Sequence, residues 1–238
     1  MRQIFLIALT IIAFFACSKK ETDRMELTGS VKGLKKGTLF LQTFRDTSLT
    51  TVDSVVVDGN SAFTFSEKIE SPQIYYLYVR PKDGSLRDDR ITFFAENGDI
   101  TIQTNLKNFG SAAVVSGSKN DSVYREYLKL KSRFINRNLS LLEAKLKLGE
   151  NTKDSNFLKI EQQQRALISN KYLATINFAI NNKNLEVAPY LMLSEVFDAN
   201  VKYLDTVYNA LQPKIKDSKY GKELESFIEN RKKSDTIL

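Results

Sequence analysis

The chain has 238 residues, a formal charge of +7, 42% hydrophobic and 26% charged residues, a globular rather than disordered balance. It contains no histidine and a single cysteine, Cys17. That composition excludes Ser-His and Cys-His nucleophile pairs, the usual zinc ligand, disulfides within the chain and a redox Cys-x-x-Cys pair, while the basic balance draws a protein toward anionic surfaces.

In chain order, a basic start at Arg2 leads into an unbroken apolar run from Ile4 to Ala16, and Cys17 follows directly. The run falls short of the roughly 20 residues needed to cross a bilayer and fits the core of an export signal. This is the layout of a bacterial lipoprotein signal. It predicts removal of residues 1–16, lipid attached at Cys17, and a short charged tether over 17–24. At about 0.8 kcal/mol per buried CH2, two or three acyl chains hold stably where one does not. The competing readings are an uncleaved anchor, opposed by the length of the run, and a buried free cysteine, opposed by the polar sequel Ser18-Lys19-Lys20-Glu21. Phe14 departs from the leucine more usual three places before such a cysteine.

From Glu26 to about Ser116 the hydrophobic period is two, in short runs that predict eight strands within a domain spanning 25–117. The runs cover 27–31, 38–43, 51–57, 62–67, 74–80, 90–95, 99–105 and 112–116. Turn residues separate them at Lys36-Gly37, Asp58-Gly59-Asn60, Lys82-Asp83-Gly84-Ser85 and Glu96-Asn97-Gly98-Asp99. Asp58-Gly59 and Asn97-Gly98 carry the strongest hairpin signals, because tight two-residue turns need positive φ. An antiparallel sandwich or barrel is expected.

After Ser116 the period becomes helical, and residues 118–238 are expected to form a second, helical domain. Ser118 and Asn120 are N-cap candidates, and Tyr124, Leu128, Ile135, Leu139, Leu142 and Leu146 mark one face of a long helix that Gly149-Glu150-Asn151 ends. A second helix over 154–181 places Ile160, Leu167 and Ala174 at heptad spacing, so a long antiparallel helical hairpin is predicted. Shorter helices are expected over 187–199 with Pro189 in the first turn, over 203–211 stopped by Pro213, and over 218–232. The fold class is α+β.

Several short motifs carry a family likeness: Leu27-Thr28-Gly29-Ser30-Val31, Asp53-Ser54-Val55 with Gly59 and Phe63-Thr64-Phe65, Phe93-Phe94-Ala95-Glu96-Asn97-Gly98-Asp99-Ile100, Ser116-Gly117-Ser118, Ala188-Pro189-Tyr190 and Ser218-Lys219-Tyr220-Gly221-Lys222. With Cys17, they resemble Bacteroidota envelope lipoproteins whose uncharacterised N-terminal β domain and helical linker usually precede a thioredoxin-like or peroxiredoxin-like thiol-disulfide domain. Where the resemblance would place that domain, the sequence reads Asp235-Thr236-Ile237-Leu238. The family's oxidoreductase activity belongs to that domain and does not transfer. The resemblance implies the recognition or positioning half of a two-part protein.

Two groups of residues are candidate sites. Arg125, Lys129, Arg133 and Arg137 repeat every four positions on the first long helix, a basic ridge drifting about 40° per step that fits an anionic partner. A solvated helix face is the competing account. Tyr76 and Tyr78 share one face of a strand, with Tyr75 on the other and Phe93-Phe94 on a neighbouring strand, and a solvated tyrosine face stacks on a sugar or holds a peptide. Core packing competes there. Asp83, Asp88 and Asp89 do not match the spacing of a calcium loop, and no metal site, cofactor or catalytic residue is expected.

The resulting expectation is a non-catalytic cell-envelope lipoprotein, anchored by lipid at Cys17 on the outer membrane and acting as a binding or positioning module. Its partners would be the membrane and an anionic glycan or lipid, not nucleic acid. One alternative is an accessory subunit of thiol-disulfide machinery working with a separate thioredoxin-like protein; another is a hydrolase using carboxylates alone.

Overall fold

A computed structural model describes residues 23–85, 88–149 and 155–235. The predicted export signal, Cys17 and most of the tether lie outside the described residues, as do 86–87, 150–154 and 236–238. The architecture is mixed α+β, two four-stranded sheets followed by helices.

All eight alternating segments form strands: β1 (Arg24–Lys32), β2 (Lys36–Arg45), β3 (Ser48–Asp58), β4 (Ala62–Lys68), β5 (Gln73–Pro81), β6 (Arg90–Ala95), β7 (Gly98–Asn105) and β8 (Val114–Ser116). One sheet runs β4-β1-β7-β8 and the other β3-β2-β5-β6. Among the described residues no ladder joins them, so the barrel alternative does not form. Nor is the pairing wholly antiparallel: β1 and β7 run parallel, with Leu27 opposite Ile100 and Gly29 opposite Ile102.

Both expected hairpins are corners between sheets. Gly59 (φ 88°) and Gly98 (φ 114°) bend the chain as their residue types predict. Yet β3 and β4 belong to different sheets, and so do β6 and β7. Positive φ permits a sharp bend without choosing a partner. Burial chooses it, by seating Phe63 and Phe65 of β4 in the core beside Leu27 of β1. The true tight hairpin joins β2 to β3 through Asp46 (φ 54°) and Thr47, with Arg45 opposite Ser48.

The inner faces of the sheets enclose one core that includes Leu27, Leu41, Leu77, Phe93 and Ile100, all within 1% of complete burial. Side chains alternate across a strand, so Phe94, next to Phe93, must point the other way. It enters a second core made with the helices. Adjacent phenylalanines thus bury opposite faces of β6 and attach the helices to the β part.

The helices are α1 (Lys119–Leu148), α2 (Ser155–Asn181), α3 (Val187–Glu195), α4 (Val201–Ala210), α5 (Pro213–Lys216) and α6 (Lys219–Asp235). Ser118 caps α1 by accepting from the Asp121 N–H, and Gly149 (φ 71°) closes it. Contacts link α1 to α2 at Tyr127 with Thr175 (3.1 Å) and at Lys145 with Glu161 (3.0 Å). The turn of the expected hairpin would fall at 150–154, outside the described residues. Pro213, expected as a stop, opens the single turn of α5.

Candidate functional site

The sheet β3-β2-β5-β6 presents its outer face to the helices, and at the edge of that contact lies a cleft of about 1050 Å3. Its β side is formed by the Phe44 end of β2, the 67–71 segment and the start of β5; α3 and α6 supply the other side. Alternation along β5 turns Ile74, Tyr76 and Tyr78 outward while Tyr75, Leu77 and Val79 fill the sandwich core.

The floor is aromatic. Tyr190 of α3 lies 5.3 Å from Phe94, edge to face, and 5.1 Å from Tyr220 of α6. Tyr124 of α1 meets Phe94 at 5.6 Å and Tyr190 at 5.8 Å, and Phe44 meets Tyr76 at 5.9 Å. Edge-to-face pairs of this kind add about 0.5–1.5 kcal/mol beyond the area they bury. The Tyr220 hydroxyl accepts a hydrogen bond from the Ile74 N–H (3.0 Å), and the Lys219 N–H donates to Ser71 Oγ (3.2 Å). These two bonds seat α6 on the start of β5.

Burial pushes the phenols of Tyr76, Tyr190 and Tyr220 above their ordinary range, as it does Tyr124. Tyr75, beneath the cleft, is raised to about 12 by burial and then by Glu67. The upward shifts keep these phenols in the neutral form that tyrosine already has at physiological pH, in which the rings stack and the hydroxyls exchange hydrogen bonds. The rim carries both signs: Arg45, Lys68 and Lys222 against Glu67, Glu70 and Asp217. Burial also raises the Glu223 carboxyl, with Lys219 opposing the shift.

A polar junction holds the floor in place. Asn120, at the start of α1, donates through Nδ2 to Glu96 (2.7 Å) and to Glu186 (3.0 Å), and its Oδ1 accepts from the Val187 N–H (3.0 Å) that opens α3. The neighbouring Asp121 accepts from the Phe94 N–H (3.0 Å) and from Arg125 (3.1 Å). One dipeptide therefore joins β6, α1 and α3, and it fixes where Phe94 and Tyr190 sit.

The structure separates the four residues of the predicted basic ridge. Arg125 is engaged: besides Asp121 it donates to the Thr92 carbonyl (2.6 Å), binding α1 to β6. Lys129, Arg133 and Arg137 are exposed. The two tyrosines share the outer sheet face but differ in surroundings. Tyr76 packs against the helical core and lines the cleft. Tyr78 lies away from it, stacked on Phe40 (6.0 Å) with the Arg90 guanidinium 5.1 Å over its ring. Arg80 covers Phe40 in the same way at 5.1 Å. On this face Gln42 Oε1 and Arg90 Nε are buried without a hydrogen-bond partner among the described residues.

Sequence reasoning did not select Phe44, Tyr190 or Tyr220 as site residues. The last two stand in the motifs Ala188-Pro189-Tyr190 and Ser218-Lys219-Tyr220, which carried the family likeness, and that was the available signal.

Residues 25–124 match the model of a domain of unknown function, DUF4369. The match begins in β1 and runs through Tyr124, beyond the last strand. It thus takes in Asp121, which bonds to β6, and Tyr124, which packs on it, and stops one residue short of Arg125. No curated protein matches the chain.

Proposed function

We propose that the protein is a non-catalytic binding module of the cell envelope, held to the outer membrane by lipid at Cys17, whose ligand seat is the tyrosine-floored cleft. The two long helices form a hairpin arm rising from the seat. The observation that carries this reading is a cleft of about 1050 Å3 floored by neutral phenols. Ligand sites are usually lined by apolar and aromatic groups with a few polar ones; here the aromatic floor fits that pattern, while the rim is heavily charged. A mixed-sign rim gives no net attraction to an anion, and tyrosine rings stack on sugar rings while their hydroxyls hydrogen-bond. An uncharged glycan segment is therefore the ligand. A chain with no histidine, and with its only cysteine at the lipidation position, supports binding rather than catalysis.

The test is calorimetric titration of the full chain in detergent with neutral oligosaccharides, repeated with Phe44→Ala. Phe44 is 46% exposed, so its removal leaves the fold intact. A loss of affinity of about tenfold or more supports the cleft as the seat. Absence of glycan binding, together with recovery of a thioredoxin-like protein on the tagged chain, would overturn it in favour of an accessory role in thiol-disulfide chemistry.

A further inference from the structure

The apolar stripe of α1 is covered over only half its length. Tyr124 and Leu128 belong to the helical core, against α3 and its neighbours. That cover ends at Glu195, the last residue of α3, which pairs with Lys131 of α1 (2.7 Å) and with Lys171 of α2 (3.9 Å). Beyond it Ile135, Leu139, Leu142 and Leu146 stand 47%, 56%, 43% and 73% exposed. Leu158 and Ile168 of α2 are 49% and 55% exposed. Exposed apolar residues scattered singly need no explanation, whereas a contiguous row of them marks a contact surface.

The spacing of the row identifies what fits it. The steps from Ile135 to Leu139, Leu142 and Leu146 are four, three and four, the alternation of a coiled-coil seam, which seats a second helix by knobs-into-holes packing. At about 100° per residue, Arg133 and Arg137 lie roughly half a turn from the leucines. Laid on a bilayer, the row would turn Arg133 and Arg137 away from the headgroups, so anionic lipid would gain no electrostatic attraction from them. Helix against helix, Arg133 and Arg137 remain in solvent, as outer coiled-coil positions do.

We propose that this seam is covered by the same seam of a second copy, the two α1 helices crossing antiparallel about a two-fold axis between Leu139 and Leu142. In that register Leu139 of each copy faces Leu142 of the other and Ile135 faces Leu146, so the interface is self-complementary, as a two-fold dimer requires. The residues flanking the seam then oppose Asn136 to Glu143 and Asn138 to Lys145. No like charges meet. Lys145 already pairs with Glu161, and Glu143 with Lys147 at 2.8 Å, so neither charge enters the contact unneutralised.

Sedimentation equilibrium of the full chain in density-matched detergent tests this, and the expected mass is that of two chains. Leu139→Glu and Leu142→Lys should each weaken association by about tenfold or more, while circular dichroism of the exposed-site variants stays unchanged. An equimolar mixture of the two variants should recover the dimer, because the introduced carboxylate of one chain then faces the introduced ammonium of the other; parallel pairing gives no such recovery. A single-chain mass for the unaltered protein overturns the proposal, as does a dimer indifferent to both substitutions. Loss of binding to anionic vesicles on Leu139→Glu, with the mass unchanged, also overturns it by giving the face to lipid.

Discussion

Tyr220 and Ile74, 146 positions apart, are joined by a buried hydrogen bond in which the phenolic oxygen accepts the backbone N–H at 3.0 Å. Ile74 lies at the start of β5, beyond the last backbone pair with β2, so a helix side chain takes up the N–H while Thr43 of β2 donates to the carbonyl. The bond also sets the distance between the two walls of the cleft.

Tyr220→Phe keeps the ring contacts with Tyr190 and Phe94 and removes the acceptor. Leaving a buried N–H unpaired costs about 1–3 kcal/mol, so the urea midpoint should fall with an unchanged slope. An unchanged midpoint would mean that the start of β5 does not depend on α6.

Asp121 gives a pH signature. Burial lifts its carboxyl above the ordinary 3.8, with Arg125 and the Phe94 N–H pulling the other way. The folded chain therefore holds this proton more tightly than the unfolded chain. The stability so contributed is complete below the unfolded value and is lost as pH rises through the folded one. Compared with Asp121→Asn, the unaltered protein should lose relative stability as pH rises above the ordinary 3.8 and through the raised folded value, as read from paired thermal melts. A difference independent of pH would refute the assignment.

Asn120→Asp sets a third carboxylate between Glu96 and Glu186, where Nδ2 now donates to both. Destabilisation should be greater at neutral pH than in mild acid, since protonation relieves the repulsion. Asn120→Ala should lose about 1–3 kcal/mol, because the Val187 N–H and Glu186 lose their partner while Glu96 keeps the Lys119 N–H. Chemical denaturation of both variants at two pH values separates the two effects.

The ridge residues should part company. Arg125→Gln breaks the bonds to Asp121 and the Thr92 carbonyl and is expected to cost about 1–3 kcal/mol. Changing Lys129, Arg133 and Arg137 together to Gln should leave stability within about 0.5 kcal/mol, as exposed substitutions do. Equal effects in the two sets would contradict the separation seen in the structure.

Gly221 lies where α6 passes α5, and a Cβ there would collide with the carbonyl oxygens of Ile215 and Lys216. Gly221→Ala should cost about 1–3 kcal/mol through forced displacement of α6, with a lowered melting temperature as the readout. A neutral outcome would show that α5 yields freely.

Strand positions were legible because alternation is a local property: the inward set Leu39, Leu41 and Thr43 and the outward set Tyr76 and Tyr78 follow from the residues themselves. Sheet membership was not. Asp58-Gly59 and Asn97-Gly98 announce bends, but whether a bend returns a strand to its neighbour or sends it across the core depends on side chains far away, such as Phe65 opposite Leu27. The parallel β1–β7 ladder is equally a matter of distant burial, since five strands separate Leu27 from Ile100 along the chain and four of them belong to the opposite sheet. For the cleft, Tyr76 could be found by counting, whereas Tyr190 and Tyr220 reach it from helices whose own patterns say only that one face is apolar. On α1 the row from Tyr124 to Leu146 reads as one continuous stripe. Only the end of α3 at Glu195 divides it into a covered and an open half.

The position of β1 has a mechanical consequence. It is an inner strand, bonded along one edge to β4 over Arg24–Ser30 and along the other to β7 over Met25–Lys32. Tension entering the folded body from the N-terminal side at Arg24 runs along both ladders at once and loads them in shear. Bonds pulled lengthwise yield together rather than one after another, so this body resists extraction by its N-terminal end better than if that end led into an edge strand peeled from one side.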